Sequence, residues 1–145
     1  MATVYGVNRT KMLTPSGSNI LDQGINKSKV CFMYDTYEAA ALATGSVIEM
    51  CDKLPVGAVV TSVIVAFDDL GTGNTLDIGD ANATDRYGDG IDCATAAAVH
   101  TYPIIAEIAT IGDQVGEDTG DQQLQITVVG TAITGTIKML VEYAI

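Results

Sequence analysis

Aromatic side chains and histidine are scarce in this chain of 145 residues, which has no tryptophan, two phenylalanines and one histidine. Sugar-binding clefts use large aromatic side chains as contact platforms, so a carbohydrate cleft is not favoured. Any Ser–His–acid or Cys–His catalytic arrangement would have to use His100. The sequence has no nucleophile elbow, no phosphate-binding P-loop and no dinucleotide-binding glycine motif. We therefore predict no enzyme activity, no catalytic residue and no cofactor, and we expect His100 to have no nucleophile beside it.

Positive charge is the second deficit of this sequence. Seven lysines and arginines stand against 18 aspartates and glutamates, which gives a net charge of −11 and an isoelectric point near 4.1. Nucleic-acid binding needs clustered basic side chains that replace the counterions of the phosphates, and anionic membranes attract the same kind of surface. Between Lys53 and Lys138 the only basic residue is Arg86. We therefore expect neither nucleic acid nor a membrane as a partner.

Charged residues of both signs make up only 17% of the chain, against about 25% in an average soluble domain. The hydrophobic content of 48% and the mean hydropathy of +0.28 exclude an intrinsically disordered chain. A monomer of this composition would expose much apolar or neutral surface. Either copies of the chain or a partner cover that surface, or many small side chains raise the index without forming a patch. We expect a symmetric homo-oligomer.

The three cysteines, Cys31, Cys51 and Cys93, are an odd set without a close pair, so neither a disulfide framework nor a zinc site is predicted. All three are expected to be small buried residues. The longest apolar run, over 63–67, is too short to cross a bilayer. Residues 1–10 lack the basic and then apolar pattern of a secretory signal. We expect a protein that is made and kept in a reducing cytoplasm.

Residues 1–28 differ in character from residues 29–145. The first 28 residues are polar, rich in Gly, Asn, Ser and Thr, and without a clear period, which predicts an extended N-terminal arm. The remainder predicts one β domain without internal repeats. In chain order we expect strands over 29–37, 46–51, 58–68 and 75–78, an acidic loop over 79–92, an ambiguous Ala-rich stretch over 93–111 with a strand over 101–108, a second acidic loop over 112–121, and strands over 122–129 and 134–145.

Several details of this β domain follow from local patterns. Residues 38–43 (EAAALA) predict either one helical turn or a continuation of the first strand, and Ala94 to Val99 could form a helix locally. The strand over 58–68 is apolar on both faces and should be central. The short connection over 130–133 predicts that the last two strands form an antiparallel hairpin. Six or seven short strands without a sustained 3.6-residue period favour an all-β, single-domain β-sandwich or jelly-roll-like fold.

The acidic segment 77–92 is the one candidate binding site. Carboxylates and backbone carbonyls in a Gly-rich loop are ligands that Ca²⁺ prefers. An EF-hand frame that starts at Asp80 fails, however, because Asp85 stands where glycine is needed and Ile91 where glutamate is needed. We favour a solvated acidic loop that supplies turn residues, and we assign no metal ligand. Its aspartates are Asp77, Asp80, Asp85, Asp89 and Asp92.

Four stretches carry a resemblance to a known class of proteins. They are residues 1–11 (MATVYGVNRTK), 33–60, 75–87 (TLDIGDANATDRY) and 132–145 (AITGTIKMLVEYAI). Together they cover much of the chain and contain an order of strands, turns and a Gly-Asp loop, without a chemical motif; residues 91–100 lie outside the resemblance. In these four stretches the chain resembles small virion structural proteins encoded near the major capsid gene of tailed bacteriophages, including some cyanophages.

The resemblance implies a head cement or decoration protein, a homotrimer on the outer capsid surface that ties neighbouring major capsid protein subunits together. A strongly acidic protein suits the outer face of a shell better than contact with packaged DNA, and a polar arm can become ordered on a partner's surface. The implied location is the virion, assembled in the host cytoplasm. Two alternatives stay open: a head–tail connector, tail or fibre component, and a Ca²⁺- or carbohydrate-binding β module that uses the acidic loop.

Overall fold

A computed structural model of the chain describes residues 29–102 and 123–145. These residues contain eight strands and no helix: β1 (Val30–Leu42), β2 (Val47–Glu49), β3 (Val59–Phe67), β4 (Thr75–Gly79), β5 (Gly88–Asp92), β6 (Ala97–Tyr102), β7 (Gln125–Val129) and β8 (Ile133–Ala144). The predicted arm over 1–28, most of the strand expected over 101–108 and the loop expected over 112–121 lie outside the described residues. Within the described ranges, no helix is long and apolar enough to span a bilayer.

The strands form two antiparallel four-stranded sheets that follow a jelly-roll winding. Sheet A has the order β1-β8-β3-β6 and sheet B the order β2-β7-β4-β5. The pairs β1:β8, β2:β7, β3:β6 and β4:β5 are successive segments of one long two-stranded antiparallel ribbon. The ribbon is rolled into two sheets because β8 also pairs with β3, and β7 with β4. This is the eight-stranded double-sheet architecture of jelly rolls. The predicted all-β sandwich or jelly-roll-like fold is confirmed.

The inner faces of both sheets share one hydrophobic core. Side chains alternate between the two faces of a strand. Alternate residues of β7, and alternate residues along most of β8, are therefore buried in this core. β3 is flanked by β8 and β6, as its two-sided apolar pattern predicted, and Val63 and Val65 are fully buried. The largest fully buried side chains are Met50, Leu54, Val63, Val65, Leu76, Ile78, Leu124, Ile126, Val128, Ile133, Ile137 and Met139.

The predicted hairpin between the last two strands is wrong. β7 lies in sheet B between β2 and β4, whereas β8 lies in sheet A between β1 and β3. Both hydrogen-bonding edges of each strand are therefore occupied by partners that are distant in sequence. The short connection crosses from one sheet to the other, with Gly130 at φ +110°, and a Cβ there would overlap Asn74 and the carbonyl oxygen of Gly73.

The structure changes one further expectation and decides two alternatives that the sequence left open. The acidic segment is not a loop throughout, because Gly88–Asp92 pairs with β4 as an edge strand in spite of its low β-propensity. Residues 38–43 continue β1 up to Leu42, which is the strand alternative of the prediction. The stretch after Ala94 is strand from Ala97, not helix. The described residues thus hold eight strands, where six or seven were predicted.

Candidate functional site

Asp80 of the acidic segment is an internal support of its own loop. Its side chain is fully buried, and Oδ1 accepts hydrogen bonds from the backbone N–H groups of Asn82 (2.8 Å) and Ala83 (3.0 Å). Oδ2 lies 2.8 Å from Nε of Arg86, which forms an ion pair with it. The loop closes so tightly that a Cβ on Gly79 would overlap the carbonyl oxygen of Ala83. This carboxylate is therefore committed to protein groups on both oxygens.

The other aspartates of the segment do not converge on a common point. Asp77 accepts the N–H of Gly90 at 2.9 Å, and Asp92 accepts the N–H of Ala94 at 2.9 Å. Both contacts are local turn or strand-end bonds of the kind that Asp side chains make. Across the described residues, no group of three or more His, Cys, Asp or Glu side chains is arranged to hold a metal ion. Three of the five carboxylates, those of Asp77, Asp80 and Asp92, are thus bonded separately to nearby backbone groups.

His100 does have a nucleophile beside it, contrary to the sequence-based expectation. Ser62 Oγ lies 2.9 Å from His100 Nε2 on the outer face of sheet A. The two residues are 38 positions apart, and the pairing of β3 with β6 brings them together. A serine hydrolase also needs an acid on the other ring nitrogen and an oxyanion site. No described carboxylate bonds to Nδ1 of His100, and the pair lies on an exposed, open sheet surface.

His100→Ala is expected to change the free energy of unfolding by less than about 0.5 kcal/mol, because His100 is exposed and loses one surface hydrogen bond. Urea unfolding of the variant, the wild type and Ser62→Ala would measure this. Ser62→Ala removes the same hydrogen bond from the other side and should match. A loss above 1 kcal/mol in the histidine variant alone would contradict the surface role.

Two of the three cysteines, Cys51 and Cys93, are held as neutral thiols. Cys93 is buried, whereas Cys31 and Cys51 are only half-buried, so the prediction of three buried cysteines holds for Cys93. Burial, helped by the nearby Asp35 carboxylate, raises the pKa of the Cys51 thiol to about 11. Burial, with a further contribution from Asp92, also raises the pKa of Cys93. Because the thiolate is the nucleophile and metal ligand, these two residues are poorly suited to either role.

A carboxylate clasp joins the end of β3 to β8 at one end of sheet A. Asp68 Oδ2 accepts the backbone N–H of Thr136 at 3.0 Å, and the N–H of Asp68 donates to the carbonyl oxygen of Thr136 at 3.0 Å. The backbone hydrogen bond from Thr136 is the main reason that the pKa of Asp68 is below its ordinary value. A shallow depression beside the clasp is lined by Ala66, Phe67, Asp68, Thr136 and Lys138. These contacts describe a strand connection, without a built ligand site.

The outer face of β1 is the feature that the sequence did not reveal as a surface. Alternation in β1 places one set of side chains outwards and another inwards, and the pattern by itself does not state which set is outside. The structure places Val30, Phe32 and Tyr34 outside, with 70%, 72% and 58% of their surfaces exposed. We call these three residues the β1 stripe. Bulky apolar side chains in a row on a soluble domain usually mark an interaction surface.

Cross-strand neighbours continue the β1 stripe over sheet A. Leu140 of β8 lies beside Tyr34, and Ile64 of β3 lies beside Leu140. Both are half-buried. Glu142 lies directly beside Phe32 and Lys138 beside Thr36, so charged side chains border the cross-strand row of Tyr34, Leu140 and Ile64 on both sides. An apolar centre with a charged rim is the usual organisation of a protein–protein interface. Among the surfaces described, this face is the best candidate for the functional site.

Comparisons with known proteins place this fold among phage capsid components. No protein-family model matches the chain, and no curated protein matches its sequence. A chain of the cyanophage Pam1 capsid asymmetric unit superposes with a TM-score of 0.62 and 26% identity, over 81% of this chain and 86% of that chain. A chain of the Ralstonia phage GP4 capsid gives a TM-score of 0.59 at 19% identity, over 82% and 84%. The Pam1 likeness is consistent with a phage capsid-related virion structural protein, and the GP4 likeness shows the same fold.

Proposed function

We propose that this chain is a non-enzymatic cement or decoration protein, located on the outer head surface, that binds and stabilises the major capsid protein lattice. The observation that carries the proposal is the likeness to a chain of the Pam1 capsid asymmetric unit, which covers most of both chains at 26% identity. Both similar structures are capsids, and this favours the head over a connector, tail or fibre. Assembly would take place in the host cytoplasm.

The physical properties of the chain agree with this role. A net charge of −11 makes contact with packaged DNA unfavourable and suits an outer surface. A sandwich with strands on both faces of one core is rigid, so contacts made on it cost little ordering entropy on binding. Many weak contacts that repeat over a lattice give a high total avidity. We expect the protein to act as a symmetric homo-oligomer, and a trimer is the form that the resemblance implies.

The N-terminal arm, residues 1–28, is proposed to add a second contact. It holds three of the seven basic residues, Arg9, Lys11 and Lys27, against one acid, Asp22. The arm therefore has a net charge of +2, and the remaining 117 residues have −13, which together give the −11 of the chain. The arm is accordingly the part of the chain best suited to meet an acidic partner surface.

Copy number in purified particles of the encoding phage tests the proposal. A lattice protein occupies every equivalent position, so mass spectrometry should find on the order of hundreds of copies per particle. A connector or fibre protein at a single vertex would be present at about a dozen copies or fewer, and that result would refute the cement role.

Sedimentation of the purified protein with particles that lack it measures binding to the lattice directly. The protein should pellet with the particles and raise the temperature at which they break. The same experiment with residues 2–20 deleted tests the arm: we expect a cooperatively melting protein with reduced binding. Full occupancy by the shortened chain would show that the arm makes no contact, and loss of folding would show that it belongs to the β domain.

A further inference from the structure

Among the strands that the structure describes, the β1 stripe lies at an unpaired sheet edge. Lys29 and Ile145 exchange two backbone hydrogen bonds of 3.0 and 3.1 Å, so they form a hydrogen-bonded pair at the start of the β1:β8 ladder. Such pairs alternate with non-bonded pairs along an antiparallel ladder, and the register is regular from Val30 to Ala39. Val30, Phe32 and Tyr34 therefore direct their N–H and C=O groups away from β8. No described strand lies on that side of β1.

The open part of this edge coincides with the apolar side chains. The next residue in the series is Thr36, and its N–H donates to Oδ1 of Asp35 at 2.8 Å. This local bond satisfies the first outward-facing N–H group beyond Tyr34. Between Lys29 and Asp35 the strand has no charged residue, proline or bulge, which are the usual devices that prevent an edge from pairing. In the described ranges 29–102 and 123–145, backbone groups without a strand partner and exposed apolar side chains thus occur on the same three residues.

We propose that the edge of β1 along the β1 stripe pairs with the same edge of a second copy of this chain. This inference deepens the proposed function, since it assigns a surface to the homo-oligomer expected there. A contact of one edge with itself is two-fold, so it makes a dimer and not the trimer that the resemblance implies. The stripe matches itself: antiparallel pairing about Phe32 places Val30 of one copy beside Tyr34 of the other, and lets their free backbone groups bond to each other. Such a match needs no other protein.

Charge also favours a second copy at this edge over the outer face of sheet B. The β8 residues beside the stripe are Ala144, Glu142 and Leu140, so one charged side chain per copy lies next to the contact. Sheet B presents Glu49, Asp77 and Asp92, so two copies that met there would repel more strongly.

The exposed apolar area is adequate for the centre of such an interface. Phe32, Tyr34 and Val30 together expose on the order of 300 Å², given the 150–250 Å² that one aromatic side chain can bury. A stable contact buries about 800 Å² per partner, so the two stripes packed side by side would supply part of it, and the paired backbone edges and neighbouring polar groups would supply the rest.

Light scattering and sedimentation equilibrium of Phe32→Glu test the proposal. The wild type should have a mass of at least twice 15.1 kDa, and Phe32→Glu should reduce it because two carboxylates would meet at the contact. Phe32 is 72% exposed, so the variant should keep a cooperative melt, at a lower temperature because the new carboxylate lies opposite Glu142 of β8. Val47→Glu is the matched control: its side chain is 50% exposed on the outer face of sheet B, and the oligomer should persist. If Phe32→Glu folds poorly, the double variant Phe32→Ser, Tyr34→Ser replaces it.

Hydrogen exchange of the wild type gives a second measurement that needs no substitution. The amide protons of Phe32 and Tyr34 should be protected in the oligomer and exchange at least tenfold faster when dilution dissociates it. A wild-type mass of 15.1 kDa at all concentrations would overturn the inference, even if the Phe32 amide were protected, because the chain itself would then cover the edge. An unchanged oligomer in Phe32→Glu would overturn it as well. If Phe32→Glu kept the oligomer but lost binding to particles, the β1 stripe would belong to the capsid contact and not to the contact between copies. In each of these cases the copy number in particles still decides the cement proposal separately.

Discussion

Val63→Asp is expected to abolish the folded state. Val63 is completely buried in β3, between Val141 of β8 and Tyr102 of β6, and its side chain enters the shared core. No described lysine, arginine or histidine lies in that core, so a carboxylate there would be unpaired. Burial of an unpaired charged or polar group costs several kcal/mol, which is comparable with the whole stability of a domain of about 5–15 kcal/mol. The variant should be insoluble or lack a cooperative thermal transition.

Val56→Asp is the matched control for this substitution. Val56 is 64% exposed in the turn that precedes β3, and its replacement by aspartate should change the free energy of unfolding by less than about 0.5 kcal/mol. Circular dichroism and thermal melts at one protein concentration would compare the two variants with the wild type, since an oligomer's apparent stability depends on concentration. A soluble Val63→Asp protein with a cooperative melt near that of Val56→Asp would contradict the central position of β3.

Asn74→Leu is expected to lower the free energy of unfolding by about 2–4 kcal/mol, because it leaves several polar groups without partners. The side chain of Asn74 is buried and joins two connections. Its Nδ2 donates to the carbonyl oxygen of Leu70 at 2.8 Å. Its Oδ1 accepts both the backbone N–H (2.6 Å) and the hydroxyl (2.8 Å) of Thr131. Leucine has the same branching and number of side-chain heavy atoms, but it can make none of these bonds.

The position of Asn74 explains why the effect should be large for one amide. Thr131 follows Gly130 in the connection that carries the chain from sheet B to sheet A, so Asn74 holds the crossing in place. Denaturant unfolding with linear extrapolation would measure the loss. Thr72→Leu, an exposed position in the same loop, serves as the control and should be nearly neutral. If Asn74→Leu were as stable as that control, the crossing would not depend on this amide.

The acidic segment shows how far residue types predict a site. Five aspartates in sixteen residues indicated a possible cation loop from composition. The structure uses three of them, Asp77, Asp80 and Asp92, for bonds to backbone N–H groups. Sequence spacing cannot tell a carboxylate that bonds to its own loop from one that is free, because the difference is the path of the backbone. The same limit applies to Ser62 and His100, which only the pairing of β3 with β6 brings together.

Local patterns in the sequence determined the all-β class, the central place of β3 and the acidic surface. Period-two alternation and turn residues act within a few positions, so they can be read directly from the chain. Tertiary structure decided which strands pair, and it separated β7 from β8 although three residues join them. It also turned Phe32 and Tyr34 outwards while Met33 faced the core. Both outcomes depend on which edges and faces are taken by strands far away in sequence. A short-range pattern contains the alternation of a strand, but not the partner that occupies each side of it.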